Sequence, residues 1–117
     1  MYYLGLDVGS SSVKAAIVDA KSGKSILSVH EPKNEMGINS LNNDWAEQDP
    51  NMWWKYTCDA IKRVCKESNI DSKKISSVGI SYQMHGLVVV DKNGSPLRDS
   101  IIWCDSRAVN IGNEAFE

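Results

Sequence analysis

Cysteine and proline are scarce in this chain, three of each in 117 residues, and phenylalanine occurs once. Cys58, Cys65 and Cys104 are odd in number and follow neither a disulfide framework nor a zinc-ligand spacing. Free thiols in a reducing cytoplasm are therefore expected. An excess of one charge sign is missing too. Thirteen Lys and Arg are interspersed with fifteen Asp and Glu, which leaves no footprint for nucleic acid or a membrane surface. No apolar run approaches the ~20 residues that span a bilayer. The acid at position 7, inside an immediate strand pattern, does not read as a secretory leader. What is present is an ordinary share of apolar (42%) and charged (24%) residues, enough for one small globular domain or a piece of a larger one.

Hydrophobic alternation predicts strands over residues 2–8, 13–20 and 25–31, joined by short polar turns into an antiparallel meander. Residues 32–49 lack periodicity and read as a long surface loop, a kind of segment that often carries function. At Asp49-Pro50 the pattern changes to an N-cap with proline at the first helical position. Trp53, Trp54, Thr57, Ala60, Ile61, Val64 and Cys65 then recur at helical spacing to about Ser68, with both tryptophans expected in the packed face. Further strands are expected over 75–81 and 86–91, a short extended piece over 100–103, and a helix start over 106–117. The order β-β-β-α-β-β implies an α/β fold with a mixed sheet. Because the last run reads as helix with no cap after it, a truncated domain is expected.

Three stretches carry candidate chemistry. In Asp7-Val8-Gly9-Ser10-Ser11-Ser12, a glycine lets successive N–H groups face one concavity, and serine hydroxyls beside it suit phosphate oxygens. Asp7 suits a hydrated Mg²⁺, and Lys14 supplies a nearby positive charge. The spacing is not that of a P-loop, and a polar hairpin turn is the plain alternative. In Gln83-Met84-His85-Gly86, the amide and imidazole suit sugar hydroxyls and Met84 an apolar wall; an incidental inter-strand turn is the alternative. In Trp103-Cys104-Asp105-Ser106-Arg107, an aromatic face beside polar groups suits a sugar, against a buried tryptophan with a surface Asp–Arg pair.

Together, Gly5-Leu6-Asp7-Val8-Gly9-Ser10-Ser11-Ser12-Val13-Lys14, Trp45-Ala46-Glu47-Gln48-Asp49-Pro50, Gln83-Met84-His85-Gly86 and Ile102-Trp103-Cys104-Asp105-Ser106-Arg107 resemble the N-terminal part of the FGGY family of carbohydrate kinases, its xylulose-phosphorylating branch most closely. The opening motif is shared with the wider actin, hexokinase and chaperone superfamily, whereas the other three are far more specific. The resemblance implies a ribonuclease-H-like α/β domain of the actin/hexokinase type. All 117 residues would then be the N-terminal part of the first kinase domain. It further implies ATP and Mg²⁺ as cofactors and D-xylulose as substrate, phosphorylated at its 5-hydroxyl. By the same resemblance Asp7 lies near the transferring phosphate and its Mg²⁺. Gly9, Ser10, Ser11 and Ser12 form the phosphate-facing turn with Lys14. Met84 and His85 touch the sugar, Trp103 and Asp105 lie nearby, and Gln83 is placed with them. The serine-only turn departs from relatives that carry Thr-Ser or a further Gly. The family's general base and its second domain fall downstream of Glu117, so the chain alone is expected to be inactive.

Gluconate or another polyol is the alternative substrate within the class. Outside it stand a non-catalytic binding module and an actin- or chaperone-like ATPase, the latter disfavoured by Gln83-Met84-His85-Gly86. A half-domain exposing apolar sheet surface would also favour a homodimer.

Overall fold

A computed structural model describes residues 1–117. The chain divides into two compact units, residues 1–36 with 51–83, and residues 37–50 with 84–117.

In the first unit, β1 (Tyr2–Val8), β2 (Val13–Asp19) and β3 (Ser25–Glu31) form the expected antiparallel meander. The β2–β3 turn closes because Asp19 Oδ1 accepts from Ser22 N at 2.7 Å and Gly23 supplies a φ of 69°. Alternation then sorts the side chains. Leu4 and Leu6 of β1, Val13, Ala15 and Ile17 of β2 and Val29 of β3 are buried on one face, against Ala60 and Val64 of helix α1 (Pro50–Glu67). Full burial of each larger aliphatic contributes roughly 1.5–3 kcal/mol. Arg63 pins the helix to the end of β3 through Glu31 at 2.9 Å.

Helix α1 ends as its sequence suggests. Asn69 takes a left-handed φ of 55°, Ile70 N donates to Cys65 O and Asn69 N to Lys66 O, the pair of hydrogen bonds of a Schellman cap. A 3₁₀ turn at Ser72–Lys74, capped by Asp71, leads into β5 (Ile75–Tyr82). This strand pairs in parallel with β1, giving the sheet order β3-β2-β1-β5. Val78 and Ile80 stand in register with Leu4 and Leu6, yet Ile80 is 61% exposed. The helix covers β1 to β3 and not β5.

In the second unit, β4 (Glu47–Gln48) pairs antiparallel with β6 (Ser100–Ile101), and α2 (Val109–Ala115) closes the chain. Three expectations are corrected. The surface loop over 32–49 is not wholly surface, because Met36, Ala46, Glu47 and Gln48 are buried. Residues 86–91 form no strand. Only isolated bridges hold them, Leu87 to Ile101 and Val90 to Pro96, and Asp91 Oδ1 folds the chain back by accepting from Asn93 N and Ser95 N. An apolar run without a continuous partner cannot build a ladder. Trp54 is not packed: the buried stripe of α1 begins at Thr57, and Trp54, a turn earlier, is 71% exposed. Burial pushes the Cys65 thiol pKa up. No helix is long and apolar enough to cross a membrane.

Candidate functional site

Parallel β1 and β5 bring their C-terminal ends to one edge, where open α/β sheets hold ligands. Asp7 stands at that edge, opposite Lys14 on β2 and Ser81 on β5. Its Oδ2 lies 3.8 Å from Lys14 Nζ, and both side chains are more than half exposed, a geometry that holds neither group tightly. In the turn that follows, Gly9 N donates to Ser12 O at 3.1 Å. A Cβ on Gly9 would come within 3.2 Å of that oxygen. Glycine is needed here for close approach and not for a positive φ, which Gly9 does not have. Its own N–H is spent inside the turn. Ser11 O is anchored by Met36 N at 2.8 Å. Ser11, Ser12 and Lys14 also line a cleft of about 310 Å³ with His30, Lys33 and Glu35.

Gln83 extends the β5 ladder by one step, its N–H donating to Val8 O at 2.9 Å. That bond sets it beside the Asp7–Gly9 turn. Both polar atoms of its side-chain amide are buried, and neither has a hydrogen-bond partner. Such groups are rare and call for an explanation.

The remaining candidates belong to the second unit. Met84 and Trp103 are exposed. His85 adopts a left-handed φ of 60°, uncommon for a residue with a Cβ and concentrated at functional positions. The loop is tied to β6 by Leu87 N donating to Ile101 O at 2.9 Å. Trp103 follows two residues after Ile101, so this bond holds the Met84–Gly86 loop to the strand that carries it.

Asp105 is differently placed. Its side chain is only 3% exposed. It accepts from Ala46 N at 2.7 Å, from Arg107 N at 3.0 Å and from the Arg107 guanidinium at 2.7–3.0 Å. The Arg107 hydrogen bonds hold its carboxyl below the usual carboxylate range against the opposing effect of burial, and Asp105 raises the Arg107 pKa in turn. Arg107 also reaches Oε1 of buried Glu47 at 2.7 Å and stacks on Trp45 at 3.8 Å, while Arg98 meets the same Glu47 oxygen. The expected Asp–Arg pair is therefore real but buried at its acidic end, while Trp103, Cys104 and Ser106 of the motif are exposed. Glu47, Arg98 and Trp45 were not among the candidates. The acid inside Trp45-Ala46-Glu47-Gln48-Asp49-Pro50 was the available signal, but its partners lie 51 and 60 residues away.

Residues 2–115 match the N-terminal domain of the FGGY family of carbohydrate kinases. The chain belongs to that family. A xylulose kinase of Staphylococcus epidermidis is 40% identical over 104 residues, covering 89% of this chain and 20% of that protein. A crystal structure of a xylulose kinase from Brucella ovis superposes with a TM-score of 0.88 at 32% identity, over 98% of this chain and 23% of that one. A gluconate kinase from Lactobacillus acidophilus gives 0.86 at 29% identity, over 98% and 22%. The chain thus spans about a fifth of the length of such relatives. The mixed sheet with α1 on one face is that of the ribonuclease-H-like kinase fold of FGGY proteins.

No cluster of three or more His, Cys, Asp or Glu could cage a metal. The single exposed carboxylate of Asp7 still fits magnesium, which keeps its waters and needs only one or two protein carboxylates beside phosphate oxygens.

Proposed function

We propose that these residues form the N-terminal part of the first domain of an ATP-dependent sugar kinase that converts D-xylulose to D-xylulose 5-phosphate. The observation that carries this reading is the 40% identity to a xylulose kinase over 89% of this chain, within a family match over residues 2–115 that takes in both the Asp7 turn and the Gln83-Met84-His85-Gly86 loop. ATP supplies the phosphoryl group and Mg²⁺ neutralises its charge when bound. Asp7 orients that hydrated ion, and Ser10, Ser11, Ser12 and Lys14 face the phosphates. Catalysis of this type rests on positioning and on stabilising charge at the transferring group.

On the acceptor side, the imidazole of His85 meets sugar hydroxyls, while Met84 and Trp103 offer apolar surfaces to the carbon skeleton. Asp105, its oxygens already engaged, positions the Trp103 segment through Ala46 and Arg107. A general base typically contributes about 10²–10⁴-fold, and the residues assigned here include none. The 117-residue chain alone accordingly gives no turnover.

The test is ADP release by a full-length polypeptide containing this chain, against D-xylulose, L-ribulose, gluconate and glycerol. Preference for D-xylulose supports the reading. Preference for gluconate replaces the substrate, an outcome that the likeness to a gluconate kinase keeps open. Absence of turnover with every sugar overturns the kinase reading.

A further inference from the structure

We propose that Gln83 serves the phosphoryl-donor side, its amide pairing with a hydrated magnesium–phosphate group beside Asp7. This deepens the reading of the Asp7–Ser12 turn as phosphate-facing and rests on it. The starting point is the buried amide that lacks a partner at both Nε2 and Oε1. A protein gains nothing by covering such a group unless some state of the molecule satisfies it.

Chemistry narrows what can satisfy it. The amide offers two donor hydrogens and one acceptor oxygen. A bare phosphate takes the donors but sets its negative oxygens against Oε1. A magnesium ion that keeps its waters on a phosphate presents both kinds of group, water O–H to Oε1 and phosphate oxygen to Nε2. Two neighbouring sugar hydroxyls share that donor-and-acceptor chemistry, so position must separate the sources. The Gln83 N–H is bonded to Val8 O, between Asp7 and Gly9. Gln83 falls in the same compact unit as Asp7, Gly9 and Lys14, whereas Met84, His85 and Trp103 fall in the other.

The amide is covered, so engagement requires a change of side-chain rotamer. That change forfeits no hydrogen bond, because the covered position provides none. Exposed Tyr82 and Met84 flank it in the chain.

The experiment uses the 117-residue chain with magnesium pyrophosphate as the donor-side probe and D-xylulose as the acceptor-side probe. Wild type, Gln83→Met and Asp7→Asn are compared by thermal unfolding and by calorimetric titration. Gln83→Met, which removes a buried polar group of similar size, is expected to raise the melting midpoint by about 4 °C. It should also weaken magnesium pyrophosphate at least about tenfold, and leave any D-xylulose response unchanged. A lowered midpoint means that the amide has a partner within the chain, and overturns the inference. Loss of the D-xylulose response alone makes Gln83 a sugar residue, and also overturns it. If Asp7→Asn weakens pyrophosphate binding while Gln83→Met does not, this inference falls and the phosphate-facing turn stands. If wild type fails to bind magnesium pyrophosphate, both fall.

Discussion

Replacing Asp105 with asparagine tests whether its carboxylate is a structural centre and not a sugar ligand. In the wild type the two oxygens take hydrogen bonds from Ala46 N, Arg107 N and the Arg107 guanidinium, with the side chain 3% exposed. Asparagine keeps one acceptor oxygen but turns an NH₂ toward groups that are themselves donors. Removing one member of a buried ion pair costs about 3–5 kcal/mol, and hydrogen bonds to a charged group are worth about 1.5–3 kcal/mol each. With one acceptor retained, the expected loss is about 3 kcal/mol at pH 7. That is a large part of a typical total of about 5–15 kcal/mol. Urea unfolding followed by tryptophan emission reads the loss, Trp45 and Trp103 lying in the same unit as Asp105. The pH dependence supplies a second reading. Because the folded carboxyl titrates below its unfolded value of about 3.9, its contribution is complete above that pH. It is lost as pH falls through the folded value. The gap between wild type and Asp105→Asn should therefore be constant from pH 5 to 8 and narrow below pH 4. A gap under about 0.5 kcal/mol at pH 7, or one undiminished in acid, refutes the reasoning.

Three further outcomes are expected. Ile17→Ala should cost about 2–5 kcal/mol by opening a cavity in the fully buried core, whereas Ile80→Ala should stay within about 0.5 kcal/mol; parallel urea curves decide it. Gly9→Ala should cost about 1 kcal/mol, because the new methyl meets Ser12 O at 3.2 Å, and equal midpoints would show that the turn yields freely. At His85, with φ 60°, a valine should destabilise by about 1–2 kcal/mol through its forbidden backbone angles, while glycine should fold at least as well as wild type yet lose sugar-dependent turnover in the full-length kinase. Equal stability of the two variants would remove the strain argument.

Local pattern made several elements legible before any coordinates. Period-two alternation over residues 2–8, 13–20 and 25–31 specified strands because each has one buried face. Asp19 and Gly23 specified the turn between the second and third. Periodic Thr57, Ala60 and Val64 specified the helix, and residues 69–72 its exit. The same logic failed at 86–91, where Val88, Val89 and Val90 read as a strand but meet no continuous partner. Strand character is a property of a pair, and one segment does not reveal its partner.

The candidate site divides in the same way. Asp7, the serines and His85 were identifiable by type and spacing, since phosphate and sugar chemistry demand those groups on short loops. How Asp105 is held was decided in part by tertiary structure, which adds the Ala46 N–H to the local contact with Arg107. Fold class, the mixed sheet and the family thus followed from local sequence, which encodes periodicity, turn chemistry and motif. The bonding of Asp105, the reach of Glu47 to Arg98 and Arg107, and the orphaned amide of Gln83 depended on contacts between distant segments. Those contacts set burial and hydrogen-bond satisfaction, and neither quantity exists until the chain is folded.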